Sequence, residues 1–233
     1  MDTARIAELL EPFLGTPVEL PGPPEPARAN AAPAVLSPVQ LQHISTYIDI
    51  LGRWNARINL TAIRDPEDIV TRHFGESLFA ARHLFPSVSS ASSVVKSVDS
   101  VADIGSGAGF PGLPLKLWAP HIALTLIESN HKKAAFLREV ARALTLTDVN
   151  IQIARAETLI GTVFNTVTLR AVERFDAILP TAAGLVAASG RLALLISSAQ
   201  HDQARSTLPD LTWSAPAPIP HSRSRILLIG CNQ

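Results

Sequence analysis

Apolar positions change period along this chain, and the change divides it. After Ser37, residues Leu41, Ile44, Ile48, Leu51 and Trp54 recur at helical spacing. Ser37 followed by Pro38 is a helix start, with serine at the N-cap and proline in the first turn. A second start is Asp65-Pro66-Glu67-Asp68, whose acids suit a helix's positive end. Ile69, Val70, His73, Phe74, Leu78 and Ala81 form the apolar stripe behind it. From Val98 the helical period gives way to short apolar runs: 98–104, 122–128, 150–154, 165–169, 191–196, 211–215 and 224–230, with a helical stretch at 131–144. Strands alternating with helices predict an α/β fold with a mostly parallel sheet. The last two runs have no helix between them and predict an antiparallel pair.

Four regions follow. Residues 1–37 read as a short helix, Thr3 to Leu10, and a linker, since residues 12–38 hold eight of the 18 prolines. Residues 38–86 read as a helical cap. Residues 87–100, with seven serines, read as a flexible insertion, and residues 98–233 as the sheet domain.

Composition narrows the class. The 233 residues are 47% apolar and 17% charged, the signature of a globular chain long enough for a substantial core. Cys231 is the single cysteine, so no internal disulfide framework exists and a reducing, cytoplasmic setting is expected. No apolar run approaches the ~20 residues of a membrane span. The N-terminus carries acids and no signal-peptide core, so no export is expected. Net charge is zero, but unevenly spread: residues 1–37 sum to −3, residues 113–146 to +3 and residues 170–233 to +2. A neutral protein can thus carry a basic face.

The densest chemistry lies in "VADIGSGAGFPGLPLKLWAP", residues 101–120. Asp103 comes at a strand end, and Gly105, Gly107 and Gly109 follow at G-x-G-x-G spacing. In open α/β sheets ligands bind beyond the carboxyl ends of strands, at the topological switch point. Glycines there let the backbone turn tightly and approach a ligand. The dinucleotide fingerprint needs a glycine where Phe110 stands, and no Lys-Ser/Thr pair follows for a P-loop. A second acid, Glu128, closes the next strand. A carboxylate there suits ribose hydroxyls, and one near the loop suits a cationic amino group. Together they suit S-adenosylmethionine; a bare strand-to-helix turn is the plainer alternative.

The loop "DIGSGAGFPGLPL" and the following "IESNHKKAAFLREVARAL" resemble the small-subunit ribosomal RNA guanine-N7 methyltransferases, also called glucose-inhibited division protein B. The cap stretch "LGRWNARINLTAIRDPEDIVTRHFGESL" (51–78), "RAE" (155–157) and "LRAV" (169–172) match the same family. The resemblance covers roughly residues 38–230. It implies a seven-stranded, Rossmann-like S-adenosylmethionine-dependent methyltransferase sheet with an N-terminal helical cap. It also implies a cytoplasmic enzyme acting on small-subunit ribosomal RNA or the ribosomal particle, with no metal and no membrane. By position, Asp103, Gly105, Gly107, Gly109 and Phe110 would line the cofactor and Glu128 would take its ribose. Ala156 and Glu157 would flank the adenine, and Arg170 would border both cofactor and methyl transfer as the catalytic residue. Arg64, Arg72, Lys132 and Lys133 are candidates for phosphate contact, along with Arg53 and Arg57. A monomer is expected.

The chain departs from the family pattern in places. Ile196, Ser197 and Ser198 stand where a lysine and glycine are usual, Gly230 and Cys231 where a lysine ends the last strand. Glu76 replaces an aspartate, as does Asn165. Lost lysines would weaken a grip on phosphate. Methyl transfer to guanine N7 needs no prior deprotonation, which agrees with the lack of an evident general base. His73 and Trp54 fit packing roles on their helical stripes, while Asn55, Asn59 and Thr61 fit backbone-satisfying roles after a helix end. Two other readings stand: a methyltransferase-fold protein that binds cofactor but has a lost or altered RNA substrate, and a nicotinamide-dependent oxidoreductase.

Overall fold

The computed structural model describes residues 1–15, 35–86, 98–171 and 174–232. Most of the proline-rich linker and of the serine-rich insertion therefore lie outside the described residues, as does Val172 of the "LRAV" motif.

Helix α1 (Thr3–Leu14) runs past Leu10, with Pro12 inside it. Proline forfeits a helical hydrogen bond, but burial of Phe13 and Leu14 just beyond it holds the last turn. Helix α2 (Pro38–Asn55) begins with a full capping box: Ser37 Oγ accepts from Gln40 N–H, and Gln40 Oε1 accepts from Ser37 N–H. At its far end Asn55 Oδ1 accepts from Leu60 and Thr61 N–H, closing the turn that leaves the helix. Asp65 caps α3 (Pro66–Asp68) by accepting from Glu67 and Asp68 N–H. The chain then widens to π-helix over Ile69–Gly75 and tightens into α4 (Glu76–Leu84). Gly75 allows Phe13 of α1 to lie against it: a Cβ there would sit 2.7 Å from the Phe13 ring.

The sheet comprises β1 (Ser100–Ile104), β2 (Ala123–Ile127), β3 (Val149–Gln152), β4 (Phe164–Arg170), β5 (Val186–Ser197), β6 (Thr212–Trp213), β7 (Ala217–Pro218) and β8 (Arg225–Cys231). Its order is β3-β2-β1-β4-β5-β8-β6, with β7 also paired to β8. The first five strands are mutually parallel, and β8 is antiparallel to its neighbours. The short β6 and β7 lie one after the other along β8, at Cys231 and Leu227 respectively. Together they fill one edge position, so among the described residues seven positions span the sheet although eight strands compose it. Pro216 and Pro218 suit an edge, where proline's missing N–H costs no ladder bond.

Side chains alternate across the strands and divide the core. Val101, Leu124, Leu126, Ala193, Leu195 and Leu227 meet the cap helices together with α5 (Gly112–Trp118) and α6 (His131–Ala143). Ala102, Ile104, Val167, Leu169, Leu192 and Leu194 meet α7 (Phe175–Gly184) and α8 (His201–Thr207). The cap shares a core with one face of the sheet. Lys116, counted above among the basic residues, is buried, its Nζ donating to the carbonyls of Pro120 and Ile122. It adds nothing to a basic surface.

Candidate active site

The switch point lies between β1 and β4, with β2 on the other side of β1. The glycine loop emerges there. Gly105 and Ser106 donate their N–H groups to the carbonyl of Ile127 at 2.9 and 3.2 Å, pinning the loop across the end of β2. Gly105, Gly107 and Gly109 have φ of 67°, 54° and 84°, the left-handed region that glycine occupies without penalty. The glycines face different things. A Cβ on Gly109 would collide with the Tyr47 hydroxyl and approach Leu113 Cδ1 to 2.6 Å, whereas one on Gly107 would meet only Gly105 O at 3.6 Å. Gly109 is held against protein, while Gly107 borders open space.

Both acids are buried, and both brace this loop. Asp103 accepts at Oδ1 from Thr168 Oγ1 (2.9 Å) and at Oδ2 from Gly112 N–H (3.2 Å), with 1% of its surface exposed. Burial pushes its carboxyl up to about 7, against the pull of these hydrogen bonds and of Arg170. Glu128 accepts from Gly107 N–H at Oε2 (2.9 Å) and from Asn130 N–H at Oε1 (2.8 Å). Each carboxylate oxygen can accept more than one bond, so Glu128 retains acceptor capacity.

Arg170, at the end of β4, reaches into the cap. Its guanidinium donates to Glu76 Oε2 (3.1 and 3.3 Å), to His73 Nδ1 (3.0 Å) and to the carbonyl of Arg72 (2.6 Å). Arginine carries only donors, so His73 Nδ1 must accept, and its proton lies on Nε2, facing Thr61 Oγ1 at 2.8 Å. Burial first, then the charges of Arg170, Arg72 and Arg225, drive the His73 pKa down to about 3. This histidine is a neutral, packed member of a network. Its ring stacks on Phe110 at 4.7 Å, while Tyr47 stacks on the same ring at 5.3 Å and donates its hydroxyl to Ala108 O. Phe110 is 6% exposed and ties the loop to the cap.

Ala156 is buried and Glu157 exposed on a single turn, Ala156–Thr158, after β3, at the same end of the sheet. Lys132 and Lys133 open α6 beside Glu128, where Asn130 Oδ1 accepts both their backbone N–H groups. Arg72 is exposed on the π-helical segment next to the Arg170 network. Arg64 is exposed in the segment before α3, outside these contacts. The fold thus gathers the loop, both acids, Arg170 and Arg72. Trp54 donates from Nε1 to Glu139 and packs on Phe136, and Asn165 accepts from Ser100. Sequence reasoning missed Tyr47, Thr168, Gly112 and Arg225. Glu76 was seen only as a substitution, although an acid inside an apolar helical stripe signals a buried partner. Among the described residues no three His, Cys, Asp or Glu side chains gather as a metal-ligand set, and no helix is long and apolar enough to cross a membrane.

Comparison with known proteins agrees with this geometry. The magnesium protoporphyrin IX methyltransferase of Synechocystis PCC 6803, solved with bound S-adenosylmethionine, superposes with a TM-score of 0.59 over 82% of this chain and 97% of that one, at 15% identity. The ribosomal protein L11 methylase of Lactobacillus delbrueckii subsp. bulgaricus superposes with a TM-score of 0.55 over 70% and 79%, at 13% identity. At such identities they share the fold. Curated relatives are nearer in sequence. The ribosomal RNA small subunit methyltransferase G of Xylella fastidiosa is 35% identical over 79% of this chain and 82% of its own length. That of Halorhodospira halophila is 41% identical over 66% and 68%. The family model described as rRNA small subunit methyltransferase G matches residues 40–215, a span that holds the capped helices, the glycine loop, both acids and Arg170, so the chain belongs to that family.

Proposed function

We propose that this protein transfers a methyl group from S-adenosylmethionine to N7 of a guanine in small-subunit ribosomal RNA, acting as a cytoplasmic monomer. The observation that carries the reading is the site at the switch point. A glycine loop open at Gly107 lies between Glu128 at the end of β2 and Arg170 at the end of β4. The names of the relatives supply the substrate class.

The residues fit the cofactor. Gly105 and Gly107 present bare backbone on the open side of the loop, and Glu128 has lone pairs for ribose hydroxyls. Ala156 and Glu157 stand beyond β3, where the adenine would reach. When bound, S-adenosylmethionine supplies an electrophilic methyl group on a sulfonium centre. Guanine N7 already carries a free lone pair, so the protein must orient the base and exclude water rather than move a proton. Asp103 serves from beneath, its carboxylate holding the loop through Gly112 and β4 through Thr168. Arg170 borders the place where the base would sit, its guanidinium fixed by four contacts to the cap. Arg72, Lys132 and Lys133 rim the site as phosphate contacts, and Arg64 extends that rim along the cap.

The test uses purified protein, labelled cofactor, and unmethylated ribosomal RNA offered both naked and within the small subunit. The expected product is a single 7-methylguanine, with Glu128→Ala weakening cofactor affinity by tenfold or more, on the order of one charged hydrogen bond. No transfer to either substrate, or transfer to another atom, would overturn the proposal.

A further inference from the structure

Arg225 lies outside every motif in the sequence, yet the fold brings it to the site. It opens β8, in register with Ser197 at the end of β5. Its Nη2 donates to the carbonyl of Leu195 and approaches Glu76 Oε2, both at 3.2 Å. Its Nε is buried and has no hydrogen-bond acceptor among the described residues. A buried donor without an acceptor is unfavourable, so the arrangement suggests a missing acceptor.

The charges agree. Arg170 and Arg225 both pair with one oxygen of Glu76, the single carboxylate within ion-pair reach of either among the described residues. His73 is neutral, since its Nδ1 accepts from Arg170. Asp103, the next acid felt by Arg170, is bonded to Thr168 and Gly112 instead. Arg72 adds a further exposed cation beside the network. Two guanidiniums, Arg170 largely buried and Arg225 partly exposed, against one buried carboxylate leave a net positive charge.

That charge borders a cleft beyond the carboxyl ends of β4 and β5, lined by Arg170, Ala171, Phe175, Ile196, Gln200 and Arg225. Strand order places β8 three strands from β1, roughly 14 Å at strand spacing. A cofactor seated on the glycine loop leaves this side of the cleft to the methyl acceptor. We propose that Arg225 holds a backbone phosphate of the RNA next to the target nucleotide, supplying the anion that Glu76 alone does not balance. The inference rests on RNA being the substrate, as proposed above. A guanidinium suits phosphate oxygens through several charge-assisted hydrogen bonds at once.

The experiment compares wild type with Arg225→Gln and Arg225→Lys in the full chain. Equilibrium binding of unmethylated small-subunit ribosomal RNA is measured across a salt series with S-adenosylhomocysteine present. Arg225→Gln should bind on the order of tenfold more weakly. Its slope of log affinity against log salt should shrink by roughly 0.7, one phosphate on a single strand. Arg225→Lys, which keeps the charge, should restore the slope. An unchanged slope in Arg225→Gln would overturn the inference. So would loss of melting temperature and cofactor affinity in both variants with the slope intact, which would make Arg225 structural. A wild type showing the Arg225-dependent slope but transferring no methyl would sink the proposed activity and leave the phosphate site standing. A wild type that binds no RNA would sink both.

Discussion

Asp103 sits with a desolvated carboxyl between a threonine and a helix start, and its energetics can be read by pH. Its pKa is raised from 3.8 to about 7. The folded state therefore keeps a proton that the unfolded chain releases, and stability is fullest below pH ~4 and declines as pH rises toward 7. His73 works the other way. Its pKa is lowered from 6.5 to about 3, so its contribution is present above pH 6.5 and lost as pH falls toward 3. Asp103→Asn isolates the first effect, because an amide can still accept from Gly112 and donate to the Thr168 oxygen. Chemical denaturation should show the variant gaining on wild type by up to a few kcal/mol between pH 4 and 7; a difference flat in pH would refute the assignment. The loop glycines make a second contrast. Gly109→Ala meets Tyr47 and Leu113 and should destabilise the fold by about 1–3 kcal/mol or more, as overpacking does. Gly107→Ala has room and should lose only about 1 kcal/mol for its left-handed φ, while a methyl facing the ligand side cuts cofactor affinity. Melting curves and calorimetric titration separate the two.

At the scale of elements, local sequence signals mark starts better than ends. Ser37 and Asp65 cap helices because their side chains bond the free N–H groups of the same turn, a purely local bargain. Ser37→Ala should therefore cost about 1 kcal/mol in urea unfolding, and an unaltered midpoint would mean that tertiary contacts already hold the first turn. Helix α1 outruns its prediction because Pro12 argues for a stop locally, whereas Phe13 and Leu14 are held by contacts far along the chain. Gly75 receives the Phe13 ring, and Arg82 Nη1 donates to the Phe13 carbonyl. The start of β5 at Val186 was likewise unmarked: serine, glycine and arginine interrupt its apolar pattern, yet Val186 and Arg191 pair with β4. The π-helical turn over Ile69–Gly75 has no signature in the residue pattern.

For the whole molecule, the cap works as a brace on the glycine loop and on Arg170. Tyr47 and His73 sandwich Phe110, and Glu76 takes the charge of two arginines from the sheet side. Removing a buried countercharge leaves the Arg170 guanidinium desolvated and without its carboxylate. Glu76→Gln should cost about 3–5 kcal/mol. Combining it with Arg225→Gln should recover part of the loss, since one cation fewer then faces the position of the lost carboxylate. Strict additivity of the two in a double-mutant cycle would show that the residues do not share a network.

The residues alone determined the strand–helix alternation, the capped starts, and the glycine loop framed by Asp103 and Glu128. All of these depend on neighbours close in the chain or on a period repeated along it. The family resemblance was legible for the same reason, because its motifs are short and contiguous. Only the tertiary structure decided that Arg170 meets His73 across 97 residues and Glu76 across 94, or that Tyr47 holds Ala108 across 61. Only the fold made Lys116 a buried structural cation and set Arg225 beside the cleft. Such pairings arise from the packing of the cap on the sheet, and a long-range contact between polar side chains leaves no periodic trace along the chain.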